Sequence, residues 1–327
     1  MITVYSHRAG AVSTEAFMHG EPLPQGVIWI DALRPTEEER AALSAAVGID
    51  LPTQADMHEI EASSRIYDEE GTSFLTAPIV AKADTPTPEV GALTFVLTPD
   101  LLITQRFVEP KSIEVFADLI RRQPKLCDSA AETLIVLLET IVDRSADVLE
   151  LVGGRLDALS RRVFGETEGA RAGRRAEGEL QAVLRGVGLA GDLLSKIRDS
   201  LAGLDRIIAY IGAQAADREA RDVKMRIEVI QRDLRSLAEH AGFQAQRVGF
   251  LLNATLGVIS VEQNTVVKSF TVAATVFFPP TLIASIYGMN FDVMPELHWA
   301  FGYPAALGLM ALSAVLPLWY FRRRGWF

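Results

Sequence analysis

The chain has one cysteine, Cys127. It can build no internal disulfide framework, and no paired-cysteine metal or redox site. It has no GxxxxGK[S/T], no HExxH and no GxSxG. Those absences remove P-loop nucleotide hydrolysis, the common zinc-protease helix and the hydrolase nucleophile elbow, so the sequence reads as no enzyme. A basic excess is missing too. There are 42 Asp and Glu against 32 Lys and Arg, a formal net charge of −10, with a pI near 5.1. That balance excludes a basic nucleic-acid-binding surface. The opening MITVYSHRAGAV has no apolar core of a signal peptide. Lys and Arg are absent over the whole of 269–321.

That last gap resolves a conflict in the composition. Charged residues make up 23% of the chain, yet the mean hydropathy is +0.19. The charge and the apolar excess are therefore in different places. Residues 1–264 hold 40 acids and 28 bases, net −12; residues 265–327 hold Lys268, Asp292, Glu296, Arg322, Arg323 and Arg324, net +2. Two runs without charge, Phe270–Tyr287 and Phe301–Phe321, would be about 27 and 31 Å long as helices. Each matches the roughly 30 Å hydrocarbon core of a bilayer. Trp299, Tyr303, Trp319, Tyr320 and Trp326 lie near the run ends, where interfacial aromatics belong. Lys268 precedes the first run, Arg322–Arg324 follow the second, and the loop Gly288–Ala300 has neither Lys nor Arg. The positive-inside rule then places both termini in the cytoplasm and the loop outside, with the lipid bilayer of the inner (plasma) membrane as the surrounding medium.

The remainder divides in two. Residues 1–125 carry strand-like runs at Ile2–Ser6, Val27–Asp31, Phe74–Ala81, Ala92–Thr98 and Leu101–Phe107. Pro35-Thr36-Glu37-Glu38-Glu39 opens a helix with an acidic first turn. From Asp128 onward only helical patterns remain. The first runs to about Phe164, and Gly165 and Gly169 interrupt it. The second carries Leu180, Leu184, Val187, Leu194, Ile197, Leu201, Leu204, Ile208 and Ile211. The third runs from about Ala216 to Tyr287 with no proline before Pro279. The expected architecture is an α+β cytoplasmic domain over 1–125, a long-helix bundle and stalk over 126–268, and a transmembrane domain over 269–327. In that last part span 1 covers about 270–287, the outer loop 288–300 and span 2 about 301–321.

Two patterns are decoys. Gly186, Gly188 and Gly191 spell GxGxxG, but the segment before them already has a helical repeat, not the strand a dinucleotide site needs; helix packing is the better account. Asp56, His58, Glu59 and Glu61 have metal-ligand chemistry, but a solvated helix start is the simpler reading. Gly242, Gly249 and Gly257 each weaken the third helix, and their spacing of seven and eight would let neighbouring helices approach closely.

Stepping three and four residues from Asn264 gives Val267, Thr271, Ala274, Phe278, Thr281, Ser285 and Gly288. The stripe collects polar groups that are costly against hydrocarbon, so it faces either a bundle interior or water. Hydrogen bonding between helices and the lining of a pore satisfy it equally. A pore of neutral oxygens would leave an ion partly hydrated, which suits Mg2+. Two spans per chain cannot enclose a pore, so that reading requires an oligomer.

Tyr287-Gly288-Met289-Asn290-Phe291, then Met294-Pro295-Glu296-Leu297, then Phe301-Gly302-Tyr303-Pro304, resembles the signature loop of the CorA family of divalent-cation transporters. Glu262-Gln263-Asn264, the Pro279-Pro280 pair and the ending Arg322–Trp326 are similar to that family as well, as is Asp56–Arg65 in the first domain. The resemblance implies a funnel-shaped homopentamer that passes Mg2+, and also Co2+ and Ni2+, with no nucleotide. It places Gly288, Met289 and Asn290 at a selectivity mouth that receives hydrated Mg2+, and Thr281 and Asn264 at hydrated-ion positions deeper in the pore. Phe278, Phe270 and Val267 fall at apolar gate positions, with Thr271 and Ser285 also lining the pore. Arg322, Arg323 and Arg324 match a basic ring at the cytoplasmic mouth. Asp292 and Glu296 in the outer loop raise the local cation concentration.

Some relatives of that kind sense Mg2+ through aspartate pairs between subunits. Here the matching stretch offers Val229, with Glu228 and Asp233 nearby, which leaves the regulatory site unassigned. Mg2+ is expected as both cargo and regulator. Five copies of the cytoplasmic part would hold about −60 charges, and their repulsion would loosen the assembly when no cation screens it. Two other readings stand beside this one. A zinc-transporting branch of the superfamily usually departs from Met at the position of Met289. A membrane-anchored helical scaffold would conduct nothing.

Overall fold

The computed structural model describes residues 1–8, 10–18, 20, 22–57, 65–164, 177–215, 221–290, 292 and 294–326. The chain divides into two compact units: Met1–Glu166 with Gln181–Leu252, and Thr167–Leu180 with Asn253–Phe327.

The first unit is built on a seven-stranded sheet. Its strands are β1 (Ile2–Arg8), β2 (Ala11–Ala16), β3 (Val27–Leu33), β4 (Ile66–Glu69), β5 (Thr72–Ala81), β6 (Glu89–Leu97) and β7 (Leu102–Arg106), in the order β2-β1-β3-β7-β6-β5-β4. Neighbours are antiparallel except β3 and β7, which run parallel. Strand directions are thus mixed. The five strands expected from β-branched and aromatic runs are present. The two edge strands, β2 and β4, carry polar sequences, AVSTEA and IYDE, which give no burial signal.

One face of the sheet buries Ile2, Val4, Ile30, Ala32, Phe74, Val96 and Ile103 together with Leu43 and Leu51. Leu43 comes from α1 (Glu37–Val47), which starts with a capping box: Thr36 Oγ1 accepts from the Glu39 amide, and Glu39 Oε2 accepts from the Thr36 amide. On the other face Trp29 stacks on Tyr5 at 4.2 Å and meets the edge of Phe116 at 4.9 Å. Phe116 belongs to α3 (Lys111–Arg122), which follows the short α2 (Gln54–Met57) in chain order. The buried Arg106 of β7 and Asp31 of β3, on the two parallel strands, form a bidentate ion pair with contacts of 2.8 and 3.0 Å. Thr104 donates to Asp31 and accepts from the Trp29 indole.

Three long helices follow: α4 (Ala130–Phe164), α5 (Glu177–Ala215) and α6 (Arg221–Tyr287). The first turns of α4 are buried almost all round, from Thr133 to Leu138 and from Thr140 to Val142. Farther on only Leu149, Val152, Leu156, Leu159 and Val163 are buried, a seam at three-to-four spacing. Gln244 of α6 donates to the Leu149 carbonyl of α4 at 3.0 Å, and Arg226 of α6 pairs with Glu139 of α4. The β4–β5 hairpin is tied to α5 through Asp68, which accepts from Tyr210, Gln214 and Ser73. Tyr210 is pushed up to about 12, first by burial and then by the Asp68 carboxylate.

The GxGxxG glycines lie inside α5. A Cβ at Gly186 would stand 2.8 Å from Leu159, and one at Gly191 would stand 3.3 Å from Val248, whereas Gly188 faces open space. Two of the three are close-packing positions. Gly242, Gly249 and Gly257 meet nothing within 4 Å, so among the described residues no other helix makes a close approach at them.

The second unit contains the end of α6 and α7 (Gly302–Arg323), linked through a 3-10 turn at Pro295–His298. Both helices contain stretches long and apolar enough to cross a membrane, and only 6% and 11% of those stretches is buried within the chain. Low burial excludes the core helix of a soluble domain as the reason for their apolar character.

Candidate functional site

Helix α6 runs without a break through the polar stripe. Asn264, Thr271, Thr281, Ser285 and Gly288 are exposed, Val267, Phe270 and Phe278 are 61%, 73% and 71% exposed, and Ala274 is partly covered. The stripe residues therefore share a helix face that the chain's own residues leave largely uncovered.

The hydroxyls along this segment are bonded in a regular way. Thr265 donates to Val261, Ser269 to Thr265, Thr271 to Val267, Thr275 to Thr271 and Thr281 to Phe277, each to the carbonyl four residues back at 2.7–3.0 Å. Such bonds let short hydroxyls sit in an apolar helix without an orphaned proton. They also fix polarity: with its proton engaged, each oxygen presents only lone pairs outward. The periodicity of the sequence marks Thr271 and Thr281 but gives no hint of this orientation.

Pro279 and Pro280 lie inside α6, and the helix continues past them. Neither can donate, so the carbonyls of Thr275 and Val276 lose their amide partners four residues on. The helix ends at Tyr287, with the Gly288 amide donating to Ala284 at 2.9 Å and the Met289 amide donating to Ile286 at 3.3 Å. A Cβ at Gly288 would stand 3.2 Å from the Ala284 carbonyl, so glycine lets the chain turn tightly there. The last turn directs the negative end of the helix dipole at Gly288, Met289 and Asn290, all exposed. Asp292 is exposed in the following loop. Phe291 and Val293 lie outside the described residues, as does the Glu296 side chain.

At the opposite end, Lys268 lies 5.8 Å from the Trp326 ring, Arg323 lies 5.2 Å from Trp319 and Arg324 lies 5.2 Å from Tyr320. With Arg322, these cations have no ion pair to an acid among the described residues. Trp299, Tyr303, Trp319, Tyr320 and Trp326 are all substantially exposed.

Of the candidate metal cluster, His58, Glu59 and Glu61 lie outside the described residues. Asp56 accepts from the Thr53 amide and hydroxyl at 2.8 Å, which holds its carboxyl below the usual range. Among the described residues no group of three His, Cys, Asp or Glu is placed to hold a metal ion. The first unit does bring acids together. Asp143 of α4 is pushed up, first by partial burial, then by the charges of Glu139, Asp147 and Asp233. The spacing of 139, 143 and 147 carries a sequence signal for this; the approach of Asp233 from α6 does not.

Comparison with known proteins agrees with these features. Residues 24–323 match the family described as CorA-like Mg2+ transporter protein. A magnesium transport protein CorA from Pasteurella multocida is 36% identical over 299 residues, covering 91% of this chain and 92% of that protein. Among solved structures, the complete CorA magnesium transporter from Methanocaldococcus jannaschii superposes with a TM-score of 0.75 at 19% identity, over 100% of this chain and 99% of that one. The cytoplasmic domain of ZntB from Vibrio parahaemolyticus superposes with a TM-score of 0.56 at 11% identity, over 79% of this chain and 97% of that domain.

Proposed function

Since this chain belongs to the CorA-like Mg2+ transporter family, we propose that it is a membrane channel for Mg2+ influx, assembled as a homopentamer with the polar face of α6 lining the pore. The observation that carries the reading is the uncovered face of α6 with its acceptor-only hydroxyls. Water bound to a divalent cation turns its hydrogens outward, so a hydrated ion needs a wall of acceptors. Thr271 and Thr281 supply such acceptors, and Asn264 adds an amide oxygen. Mg2+ holds its water tightly, so a wall that accepts from the water shell suits it better than one that must replace the shell.

Gly288, Met289 and Asn290 form the outer mouth in this reading. Five converging helix C-termini add negative potential there, and Asp292 and Glu296 extend it into the loop. Phe270, Phe278 and Val267 close the path by excluding water when the pore narrows. Arg322–Arg324 surround the cytoplasmic exit, and both termini lie inside the cell. No fuel is required, because a divalent ion moving inward gains about 4.6 kcal/mol per 100 mV, twice the single-charge value. That supports a gradient of about 2,000-fold.

Cytoplasmic Mg2+ gates the assembly by screening its acids, and Co2+ and Ni2+ pass by the same route. The mutual repulsion around Asp143 supports the screening term. Zn2+ transport is the second reading, favoured by the likeness to the ZntB domain but opposed by Met289. The test is ion flux in proteoliposomes with an inside-negative potential. The channel reading expects Mg2+ entry; Zn2+ entry without Mg2+ entry overturns it in favour of the second, and no cation entry leaves a helical scaffold.

A further inference from the structure

We propose that the basic end of the α6–α7 pair is a selective site for an anionic phospholipid, with Lys268, Arg323 and Arg324 holding the headgroup phosphate. The inference rests on the reading that both helices span a bilayer. It is independent of which ion they conduct.

The site begins with the way α7 stops. Gly325 has a φ of 70°, a left-handed conformation that glycine adopts freely. Its amide donates to the Arg322 carbonyl, and the Trp326 amide donates to the Phe321 carbonyl, both at 3.1 Å. This pair of bonds is a Schellman ending, which brings the residue after the glycine back onto the helix. Trp326 accordingly stacks on the buried Phe321, with ring centroids 4.9 Å apart. Lys268 of α6 lies 5.8 Å from the centre of the same Trp326 ring. The fold-back therefore joins a cation of α6 to the basic end of α7 within one compact unit.

The arginines are available to a ligand. The carbonyls of Tyr320, Phe321 and Arg322 are already taken by the amides of Arg324, Trp326 and Gly325, so no arginine side chain is needed to cap them. Arg323 lies 5.2 Å from the Trp319 ring centre and Arg324 lies 5.2 Å from that of Tyr320. Attraction to a ring holds a guanidinium in place without consuming its N–H donors. Those donors match the oxygens of a phosphate.

The charges are uncompensated. Lys268, Arg322, Arg323 and Arg324 are all exposed. Between residues 263 and 327 the only side-chain acids are Asp292 and Glu296, in the loop at the other end of the two helices. Glu262, the nearest acid upstream on α6, stands about 9 Å along the helix from Lys268. The occupant is therefore an anion. Leu316 and Leu318, on the same stretch of α7 as Trp319 and Tyr320, are 54% and 43% exposed. Cations, aromatic rings and apolar surface thus follow one another along α7, the order of a membrane interface. A soluble phosphate would use only the first of these, whereas a phospholipid uses all three. The charge selects a headgroup of the phosphatidylglycerol class, whose phosphate has no cation of its own.

The test is electron paramagnetic resonance of the full chain in phosphatidylcholine vesicles at matched ionic strength. The probes are trace spin-labelled phosphatidylglycerol and, separately, spin-labelled phosphatidylcholine. The fraction of label immobilised by the protein reads association with each lipid. The proposal expects phosphatidylglycerol to associate at least about fivefold more strongly, the worth of one engaged cation. Arg323→Gln combined with Arg324→Gln should abolish that preference. Trp326→Leu keeps every charge but releases the fold-back from Lys268, and should lower the preference about twofold or more. Immobilised phosphatidylcholine in each variant shows that it remains inserted. A preference unchanged in Trp326→Leu, as diffuse surface charge would give, or unchanged in the double glutamine variant, overturns the proposal. Loss of the preference when inorganic phosphate replaces chloride identifies a soluble oxyanion as the ligand and overturns the lipid assignment. Equal immobilisation of both labels by the native chain refutes the site alone, whereas no immobilised label at all refutes the spanning helices on which it rests.

Discussion

Thr281 Oγ1 donates to the carbonyl of Phe277 at 2.7 Å, four residues back and directly before the Phe278-Pro279-Pro280 segment. That bond decides what the residue can offer. A free hydroxyl can donate to or accept from a passing water, whereas this one is left with acceptance alone. The same arrangement recurs at Thr271 on Val267, so two positions on one face of α6 share one polarity.

If the acceptor is what matters at position 281, Thr281→Ser should keep most Mg2+ flux in proteoliposomes. Thr281→Val, of nearly the same shape, should reduce it about five- to tenfold, the equivalent of one hydrogen bond of about 1 kcal/mol. Circular dichroism should show equal helix content in both. Equal flux in Val and Ser variants would show that the hydroxyl is only a packing device.

Asp31 and Arg106 are 6% and 8% exposed and form a bidentate pair in the sheet. Removing one partner leaves a buried charge alone, so Asp31→Ala should destabilise the first unit by about 3–5 kcal/mol. The double replacement Asp31→Leu with Arg106→Met should cost less than the single one. Urea unfolding followed by tryptophan fluorescence reads this directly, because Trp29 is bonded to the same network through Thr104.

Gly203 and Gly188 lie on the same helix with opposite surroundings. A Cβ at Gly203 would stand 2.7 Å from Pro78 Cδ and 3.1 Å from Ala77 Cβ, whereas one at Gly188 meets nothing within 4 Å. Gly203→Ala should therefore destabilise by about 1–3 kcal/mol through overpacking. Gly188→Ala should stabilise by about 0.5–1 kcal/mol through helix propensity. Thermal unfolding of the two variants should move in opposite directions.

Cys127 is buried, and burial pushes its thiol up to about 11. The folded state then holds the proton more firmly than the unfolded chain, where the group titrates near 9.0. Its contribution to stability is complete below the unfolded value and is lost as pH rises through about 11. Alkylation by iodoacetamide at pH 8 should be far slower in the native protein than in urea, and Cys127→Ala should flatten the loss of stability between pH 9 and 11. Equal alkylation rates in both states would contradict the assignment.

The parts of the fold with strong periodicity were legible in the sequence. The five central strands, the helix opening at Thr36 and the three long helices all follow from apolar spacing and caps. The edge strands β2 and β4 were not, because neither buries a residue fully and their short, largely polar sequences show no apolar alternation to read. Helix packing accounts for Gly186 and Gly191 of the GxGxxG but not for Gly188, and the difference depends on Leu159 and Val248, far away in sequence. The polar stripe on α6 was legible as a spacing. The direction of its hydroxyls was not, because that is set by each residue's bond to the preceding turn.

The measurement that tests the central claim most directly is Mg2+ uptake into proteoliposomes containing the full chain, with an inside-negative potential. It is run with the native sequence and with Asn290→Ala. The account predicts uptake that grows with the potential in the native protein and falls at least tenfold in the variant, with the same assembly size for both. Equal uptake in the two, or none in either, would contradict it.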